Sequence, residues 1–295
     1  MTRPRRGWTL VELCLVLVLL ALVGGLVAGV WMRGQRALAR TAFDLRAGAA
    51  LRHAAASLVA ELRSASSADP LMVADSAVDF VTPLGAAVVC AVDGRALLLP
   101  ADRPADEALL AQWASPPQAG DLVHAYRGTG LSPAPAWAGA VVTVASESRG
   151  AAACPSAVGG VEPAGLTQLR LELDGLPAGV RPGAWVRIGR RVRYSLYRGG
   201  DGAWQLGRRE CAAPAGGCAG VQPVAGPLHP YAADAGGTGL HAASYDARLI
   251  ALPAGEAPGA ALVRLALRAA PRAGAPDAPG ATGTVAAWLA LRNRP

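Results

Sequence analysis

The sequence has no lysine, only two phenylalanines and only five tyrosines among its 295 residues. A hydrophobic core must therefore be built mainly from leucine, valine, alanine and the seven tryptophans. Neither a CxxC nor an HxxxH spacing occurs, so the common short-spaced zinc motifs are excluded. The G-x-S-x-G turn that presents a hydrolase serine is also missing. We therefore expect no metal, no cofactor and no enzymatic activity.

The net charge of +7 is concentrated near the amino terminus. Arg3, Arg5 and Arg6 contribute +3, and residues 33–66 contribute +4 through six arginines and two acidic residues. Residues 67–295 hold 19 arginines and 18 acidic residues, which leaves only +1 for most of the chain. Arginines beside an apolar segment are typical of membrane flanks. The charge distribution therefore does not indicate a nucleic-acid partner.

An apolar segment with one acidic residue at its start gives the strongest signal. The 20 residues from Leu13 to Met32 carry no charge, and as a helix they span about 30 Å, enough to cross a bilayer. A secretory signal peptide has a shorter apolar centre followed by a small-residue cleavage site, whereas an ordinary anchor fits this length. Neither explains Glu12, because a deep, unpaired charge costs about 2.5 kcal/mol or more. Glu12 is therefore a functional candidate.

The segment from Arg5 to Leu13, RRGWTLVEL, followed by the apolar run, resembles the class III signal of type IV prepilins and pseudopilins. In that family a cytoplasmic peptidase cuts after the glycine and methylates the new amino terminus. The resemblance implies cleavage between Gly7 and Trp8, where the family usually has phenylalanine. It also implies a single-pass protein of the bacterial inner membrane, with a cytoplasmic amino terminus and a periplasmic head, which then enters a pilus or pseudopilus.

The same resemblance implies that Glu12 acts in fibre assembly. Cleavage creates a positive amine at Trp8, and Glu12 of a neighbouring subunit would neutralise it in an apolar fibre core. A buried carboxylate is tolerated when it is paired and costly when its partner is missing. The implied partners are other minor and major pilins or pseudopilins, the prepilin peptidase and the inner membrane. A plain anchor with one glutamate near the headgroups is the alternative.

A single long helix is predicted from about Thr9 to Ser66, because no proline occurs there and apolar residues recur at helical spacing. Asp69-Pro70 would end it. Two sets of residues carry the 4-3-4 spacing: Leu38, Ala42, Leu45 and Ala49, then Leu51, Ala55, Leu58 and Leu62. The resulting domains are a leader (1–7), a transmembrane and fibre-core half of the helix (8–32), an amphipathic half (33–66) and a β-rich periplasmic head (70–295).

The chain after residue 70 consists of short apolar stretches separated by Gly, Pro, Asp and Ser, which predicts strands and turns. The predicted fold class is α+β: a long N-terminal transmembrane helix that continues into a stalk and packs on an antiparallel β-sheet head, as in pilins. Residues 100–140 and 212–240 are predicted to be long surface loops. The predicted strands are Val78–Thr82, Ala86–Val92, Ala96–Leu99, Val141–Ala145, Leu169–Leu173, Val192–Tyr197, Ala203–Leu206, Ala247–Ala251, Leu262–Arg268 and Thr284–Leu291.

Five cysteines are present, and Cys14 lies inside the apolar run as a free thiol. The other four form an even set in a chain that resembles an exported protein, so disulfides are expected. Cys211 and Cys218 bracket a tight loop and pair most naturally with each other. Cys90 with Cys154 then follows by elimination, although four cysteines allow three connectivities.

Two further segments resemble one branch of the family. Residues 192–210 resemble the V-x-Y-x-L, turn, L-x-R pattern of PilW- and GspJ-type minor subunits, and residues 284–295 resemble the V-x-L-R-N ending of PilW-like proteins. The implied function is that of a minor pilin that takes part in initiating and assembling a type IV pilus. The alternative is a GspJ-type minor pseudopilin of type II secretion. A membrane-tethered periplasmic binding module or enzyme is the rival from another class.

The four histidines do not form a recognisable catalytic set. His53 falls on the predicted helix, where a solvated histidine is the simplest interpretation. His229 and His241 lie near Asp234 and Ser244 in the sequence, but such residues occur together by chance in any glycine-rich stretch. No catalytic residue is therefore assigned.

Overall fold

The computed structural model describes residues 9–65, 69–101, 111–126, 137–149, 154–155, 161–162, 167–177, 179–212, 217–232, 238–257, 260–270 and 283–291. The chain divides into two compact units, residues 1–49 and 50–295.

One helix, α1, runs from Leu10 to Ser64. The predicted helix is confirmed, and its bounds agree with the prediction to within two residues. Thr9 precedes the first helical turn and accepts, through its carbonyl oxygen, the N–H of Leu13 at 3.2 Å. At the other end, the hydroxyl of Ser64 donates to the carbonyl oxygen of Glu61 at 2.6 Å, which satisfies a carbonyl of the last turn.

The described residues of the second unit form seventeen strands. In chain order they are β1 (Met72–Ala74), β2 (Ala77–Val88), β3 (Ala91–Asp93), β4 (Ala96–Pro100), β5 (Ala111–Trp113), β6 (Leu122–Tyr126), β7 (Trp137–Arg149), β8 (Cys154–Pro155), β9 (Val161–Glu162), β10 (Thr167–Leu173), β11 (Trp185–Arg198), β12 (Trp204–Cys211), β13 (Gln222–Leu228), β14 (Leu240–Tyr245), β15 (Gly255–Glu256), β16 (Leu262–Arg268) and β17 (Thr284–Ala290).

Twelve of these strands form one large sheet, whose main path is β15-β1-β2-β11-β6-β7-β10-β4-β3. Strands β2 and β11 form its centre, and they pair from Trp185↔Val88 to Ser195↔Ala77. The other edge of β11 is shared, because β6 pairs with its first part and β12 with the rest. A three-stranded sheet, β14-β16-β17, and the pair β8-β9 complete the set. Every strand pair is antiparallel, so the predicted antiparallel head is confirmed.

The core of the large sheet comes from the alternating apolar residues of its strands. In β10, Leu169, Leu171 and Leu173 are buried, while Arg170 and Glu172 between them are partly or fully exposed. This is the one-face-buried pattern expected from the sequence. The leucines pack with buried residues of neighbouring strands, which include Leu97, Leu99, Val123, Val142, Val186 and Ile188.

The predicted hairpin is present as β11 and β12. Its ends pair as Leu196↔Leu206 and Arg198↔Trp204. The turn is closed by the N–H of Gly199, which donates to the carbonyl oxygen of Ala203 at 2.7 Å. Gly202 has a φ of 82°, a conformation that a residue with a side chain adopts only with strain. The glycine-rich turn therefore serves the hairpin geometry.

The predicted strand at Ala247–Ala251 is wrong, because this segment is a tight turn after β14. The carboxylate of Asp246 accepts the N–H groups of Arg248 at 2.9 Å and Ile250 at 2.8 Å. Leu249 has a φ of 64°, in the left-handed region. An aspartate that bonds the backbone ahead of it competes with strand pairing, and here the turn is favoured.

The predicted loops at 100–140 and 212–240 are also wrong in part. The first contains β5, β6 and the start of β7, and the second contains β13. Strand β6 is short but pairs on both sides, with β11 and β7. Strand β13 includes Pro223 and Pro227 and pairs with β12 alone. An edge strand tolerates prolines because one side of its backbone makes no ladder bonds.

Candidate assembly site

The amino-terminal part of α1 exposes a continuous apolar surface. Among the described residues α1 is the one helix long and apolar enough to cross a membrane. Its large apolar side chains from Leu10 to Met32 are exposed. Water solvates such a surface poorly. By length and composition this helix is able to cross a membrane once.

Gly7 and Trp8, the predicted cleavage and methylation site, lie outside the described residues. Thr9 is the first described residue, and it immediately precedes the first helical residue, Leu10. Glu12 is therefore the third residue of the helix. This position lies in the first turn, where the backbone N–H groups have no partner within the helix.

Thr9 and Glu12 form a reciprocal set of hydrogen bonds at the start of α1. The backbone N–H of Thr9 donates to Oε2 of Glu12 at 3.2 Å, and the Thr9 hydroxyl contacts the same oxygen at 3.3 Å. In return, the N–H of Glu12 donates to Oγ1 of Thr9 at 3.3 Å. This geometry is a capping box, in which a threonine before the helix and a glutamate three residues later satisfy each other's backbone N–H groups.

The capping box gives the Glu12 carboxylate a local electrostatic role. A negative charge in the first turn interacts favourably with the positive end of the helix dipole, typically by 0.3–1 kcal/mol at exposed sites. Glu12 therefore has a stabilising partner within its own chain. The sequence signal for this capping role is the spacing Thr9-x-x-Glu12. The sequence analysis considered Glu12 only as an assembly residue and did not consider this spacing.

The last turns of α1 lie in the second unit and pack on its strands. Leu51, Ala54, Leu58 and Leu62 are almost completely buried. The prediction named Ala55 in place of Ala54, but Ala55 is only half-buried. Ala54 and Ala55 lie on opposite sides of Leu51 around the helix, by about 60° and 40°, so helical spacing does not decide between them and the packing against the strands does.

A chain of ion pairs connects this end of the helix to the large sheet. Glu61 of α1 accepts from Arg208 at 3.2 Å, and Arg208 also donates to Glu210 at 3.0 Å. Glu210 in turn accepts from Arg190 at 3.1 Å. The hydrogen bond from Arg208, together with the charge of Arg190, lowers the pKa of Glu210. The network joins α1, β11 and β12 by charge as well as by apolar contact.

The most deeply buried pair of this network is Arg190 with Asp121. Two guanidinium nitrogens donate to the two carboxylate oxygens at 2.8 and 2.9 Å, and the hydrogen bonds to Asp121 raise the pKa of Arg190. The side chains are only 10 and 2 % exposed. Asp121 also accepts the N–H of Gln118 at 2.7 Å, and Arg190 donates to the carbonyl oxygen of Pro116 at 3.2 Å. This bidentate geometry fastens the segment before β6 to β11.

The tyrosine of the V-x-Y-x-L pattern is a core residue. Tyr194 is buried and its ring stacks on Phe80 with centroids 6.0 Å apart. Burial and the nearby Glu61 carboxylate raise the pKa of its hydroxyl. The position therefore serves packing between β11, β2 and the end of α1.

Two disulfides are present, Cys90–Cys154 and Cys211–Cys218. They join the same residues that the sequence analysis paired. Cys14 is a free, exposed cysteine on α1. The first disulfide closes a sequence separation of 64 residues and the second a separation of 7.

We expect loss of Cys90–Cys154 to destabilise the fold more than loss of Cys211–Cys218. A crosslink lowers the entropy of the unfolded chain by an amount that grows with loop length, so the two losses should differ by about 2 kcal/mol. Urea unfolding of the variants Cys90→Ala/Cys154→Ala and Cys211→Ala/Cys218→Ala measures this difference. Equal losses in the two variants would contradict the prediction.

The histidines are distributed without a common site. His53 is exposed on α1. His124 lies 3.5 Å from Asp69, and burial lowers its pKa despite this carboxylate. His241 and Ser244 occupy opposite faces of β14, since they are three positions apart along the strand and Ser244 is on the buried face.

The described residues also contain neither the aspartate of a catalytic triad with His229 or His241 nor a set of metal ligands. Asp234 lies outside them, and within them no three His, Cys, Asp or Glu side chains are close enough to hold a metal ion.

No family model, no curated protein and no solved structure matches this chain.

Proposed function

We propose that this chain is a minor subunit of the type IV pilin superfamily, of the PilW or GspJ type, that takes part in initiating and assembling a fibre. The observation that carries the proposal is the order of features at the amino terminus. A short basic leader ending in Gly7 is followed by Trp8, by Glu12 and by 20 uncharged residues. An ordinary anchor requires only the last of these.

The helix offers a physical reason for keeping Glu12. A carboxylate at this position has one partner in its own chain, Thr9, and gains a second if a neighbouring subunit brings its amino terminus close. In an apolar fibre core that second partner contributes far more than it does in water, because the effective dielectric constant is low. The exposed apolar surface of α1 supplies the contacts between helices, and the head supplies contacts between subunits.

We favour a pilus subunit over a secretion pseudopilin because residues 284–295 resemble the V-x-L-R-N segment of PilW-like proteins, with Leu289 in place of the valine. In either fibre the peptidase would act from the cytoplasm, and the head would lie in the periplasm. The functional partners would be other minor subunits, the major subunit, the prepilin peptidase and the inner membrane.

Mass spectrometry of the mature chain tests the proposal directly. We expect a chain that starts at a methylated Trp8, because the peptidase removes residues 1–7. The variant Gly7→Val should retain the leader, since a branched side chain replaces the glycine at the cleaved bond. The matched control Trp8→Phe, which restores the usual family residue, should be processed normally.

A chain that still begins at Met1, or one cut beyond residue 25, would overturn the proposal. The first result would favour a membrane-tethered module, and the second a secretory signal peptide. Both outcomes are read from the same spectrum as the expected one.

A further inference from the structure

The sheet β14-β16-β17 has one buried face and one outward face. Val263, Leu265 and Leu267 of β16 are buried, and the residues between them are half-buried. The register continues this division into β17, where Leu265 pairs with Ala287 and Arg264 pairs with Trp288. Thr284, Ala286, Trp288 and Ala290 therefore share the outward face.

The hydrogen bonds at the two ends of β16 show which backbone N–H and C=O groups of β17 are bonded to β16. The N–H of Leu291 donates to the carbonyl oxygen of Ala261, and the N–H of Ala269 donates to that of Gly283, both at 3.0 Å. In an antiparallel ladder the backbone groups alternate in direction, so odd-numbered residues of β17 bond to β16. The N–H and C=O groups of Ala286 and Trp288 therefore point to the other edge, where no described strand pairs with them.

This edge lacks the features that usually prevent strand addition. The seven residues Thr284–Ala290, TVAAWLA, contain no charge and no proline. Strand β13, which lies at an edge of the large sheet, carries two prolines instead. Natural edge strands are commonly blocked by charges, prolines or bulges, and an unblocked apolar edge is a template for an added strand.

The outward face beside this edge carries the residue types that dominate binding sites. Trp288 is 55 % exposed, the guanidinium carbon of Arg264 lies 5.7 Å from the centre of its ring, and the ring of Tyr245 lies 5.2 Å away. Trp, Tyr and Arg are the side chains most often found at interface hot spots. Arg264 gives this face a positive charge beside Trp288, and β14, β16 and β17 contain no acidic residue.

This charge distribution favours an acidic partner segment over a second copy of this chain. A second copy added at the same edge would place the arginines of both copies on one continuous face without a carboxylate from any of the six strands. An acidic segment would instead bring carboxylates next to Arg264, and its apolar side chains would contact Trp288. Electrostatic complementarity of this kind decides between partners more strongly than it raises affinity.

We propose that β17 is an acceptor edge for an extended segment of a partner protein whose outward side chains are acidic and apolar. The segment would add as a further antiparallel or parallel strand, with main-chain hydrogen bonds to Ala286 and Trp288 and a contact with Arg264. The inference uses only the second unit, and it holds whether or not the chain is a fibre subunit.

Residue-resolved hydrogen exchange on the full chain in detergent micelles tests the inference. The probes are a seven-residue peptide that alternates valine and glutamate, the same peptide with lysine for glutamate, and a peptide with the chain's own residues 284–290. We expect the glutamate peptide, at ten times its Kd, to slow exchange of the Ala286 and Trp288 amides about tenfold. The amides of Val285 and Ala287 should not change, because they already bond to β16.

Two variants connect this protection to the proposed edge. Ala286→Pro removes an outward N–H without removing a bond to β16, so protection at Trp288 should be lost, whereas Ala286→Val should retain it. Arg264→Glu should favour the lysine peptide over the glutamate peptide. If the proline variant does not fold, the charge reversal still tests the site. Ile250→Ser, which removes an exposed apolar side chain outside β17, serves as the control.

Each other outcome would overturn the inference. If the glutamate and lysine peptides slowed exchange equally, the edge would have no preference for an acidic segment. Protection that rises with protein concentration alone, or that appears with the 284–290 peptide alone, would identify a second copy as the occupant. Unchanged exchange with every peptide would show that the edge does not accept a strand.

Discussion

Replacing Glu12 with alanine is expected to reduce incorporation of this subunit into fibres at least about a hundredfold while leaving cleavage after Gly7 intact. Removing one member of a buried ion pair costs roughly 3–5 kcal/mol, because the other charge is left without a partner. A loss of about 3 kcal/mol corresponds to more than a hundredfold in an equilibrium constant. In the proposed fibre the charge left alone is the amine of a neighbouring Trp8.

The capping box means that alanine removes two interactions at once, so the variant alone is ambiguous. Glu12→Gln separates them, since glutamine also completes a capping box but carries no charge. Thr9→Ala is the complementary variant, because it removes the hydroxyl that caps the helix and keeps the carboxylate. We expect Glu12→Gln to be as defective as Glu12→Ala, and Thr9→Ala to assemble nearly normally.

The measurement is the amount of this subunit that co-purifies with sheared fibres, normalised to the processed chain in the membrane. Mass spectrometry of the amino terminus confirms that each variant is cut and methylated. If Glu12→Gln were incorporated normally and Thr9→Ala were not, Glu12 would act as a helix cap and the assembly role would be wrong.

Replacing Arg190 with methionine is expected to destabilise the second unit by about 3–5 kcal/mol. Asp121, which is 2 % exposed, would lose both guanidinium donors and retain the N–H of Gln118. Methionine fills much of the volume of the arginine, so the loss reflects the missing charge and hydrogen bonds more than a cavity. Urea unfolding of the full chain in micelles at neutral pH measures the change.

Arg170 provides the matched control. Its guanidinium lies 2.8 Å from Asp93, the same distance as in the Arg190–Asp121 pair, but the two side chains are 32 and 67 % exposed. Exposed ion pairs are screened by water and contribute little to stability, so Arg170→Met should have a much smaller effect than Arg190→Met. The double variant Arg190→Met/Asp121→Asn should recover part of the loss, because no buried charge remains. Equal losses at Arg170 and Arg190 would contradict the explanation by burial.

The elements predicted correctly from the sequence are those whose signal is local. The helix is specified by a 20-residue apolar run and, after it, by apolar residues at helical spacing, with no proline between Leu10 and Ser64. The β11–β12 hairpin is specified by a glycine-rich turn between two alternating segments. Strands β5, β6 and β13 were missed because each is short or rich in proline. Strands β5 and β6 pair with β2 and β11, which are not their neighbours along the chain, whereas β13 pairs with β12, the strand before it.

The same division holds for the residues proposed to function. Thr9-x-x-Glu12 is a local pattern, and its capping geometry follows from helix geometry alone. The ion-pair network between α1, β11 and β12 has no local signal, because Glu61 and Arg208 lie 147 positions apart and Arg190 and Asp121 lie 69 apart. Arginine and acidic residues are frequent in this chain, so composition does not identify the pairs.

By itself the sequence determined where an apolar helix begins and that Glu12 stands in its first turn, since both depend on spacing along one segment. It also indicated that the rest of the chain forms antiparallel strands and turns, although β2, β7 and β11 are longer than the predicted segments. Only the tertiary structure decided that α1 docks through Ala54, that Arg190 buries against Asp121, and that β17 presents Ala286 and Trp288 at an edge. The β17 edge depends on strand register, in which a shift of one residue would turn each side chain to the opposite face. The other two features depend on contacts between segments that are distant in the sequence.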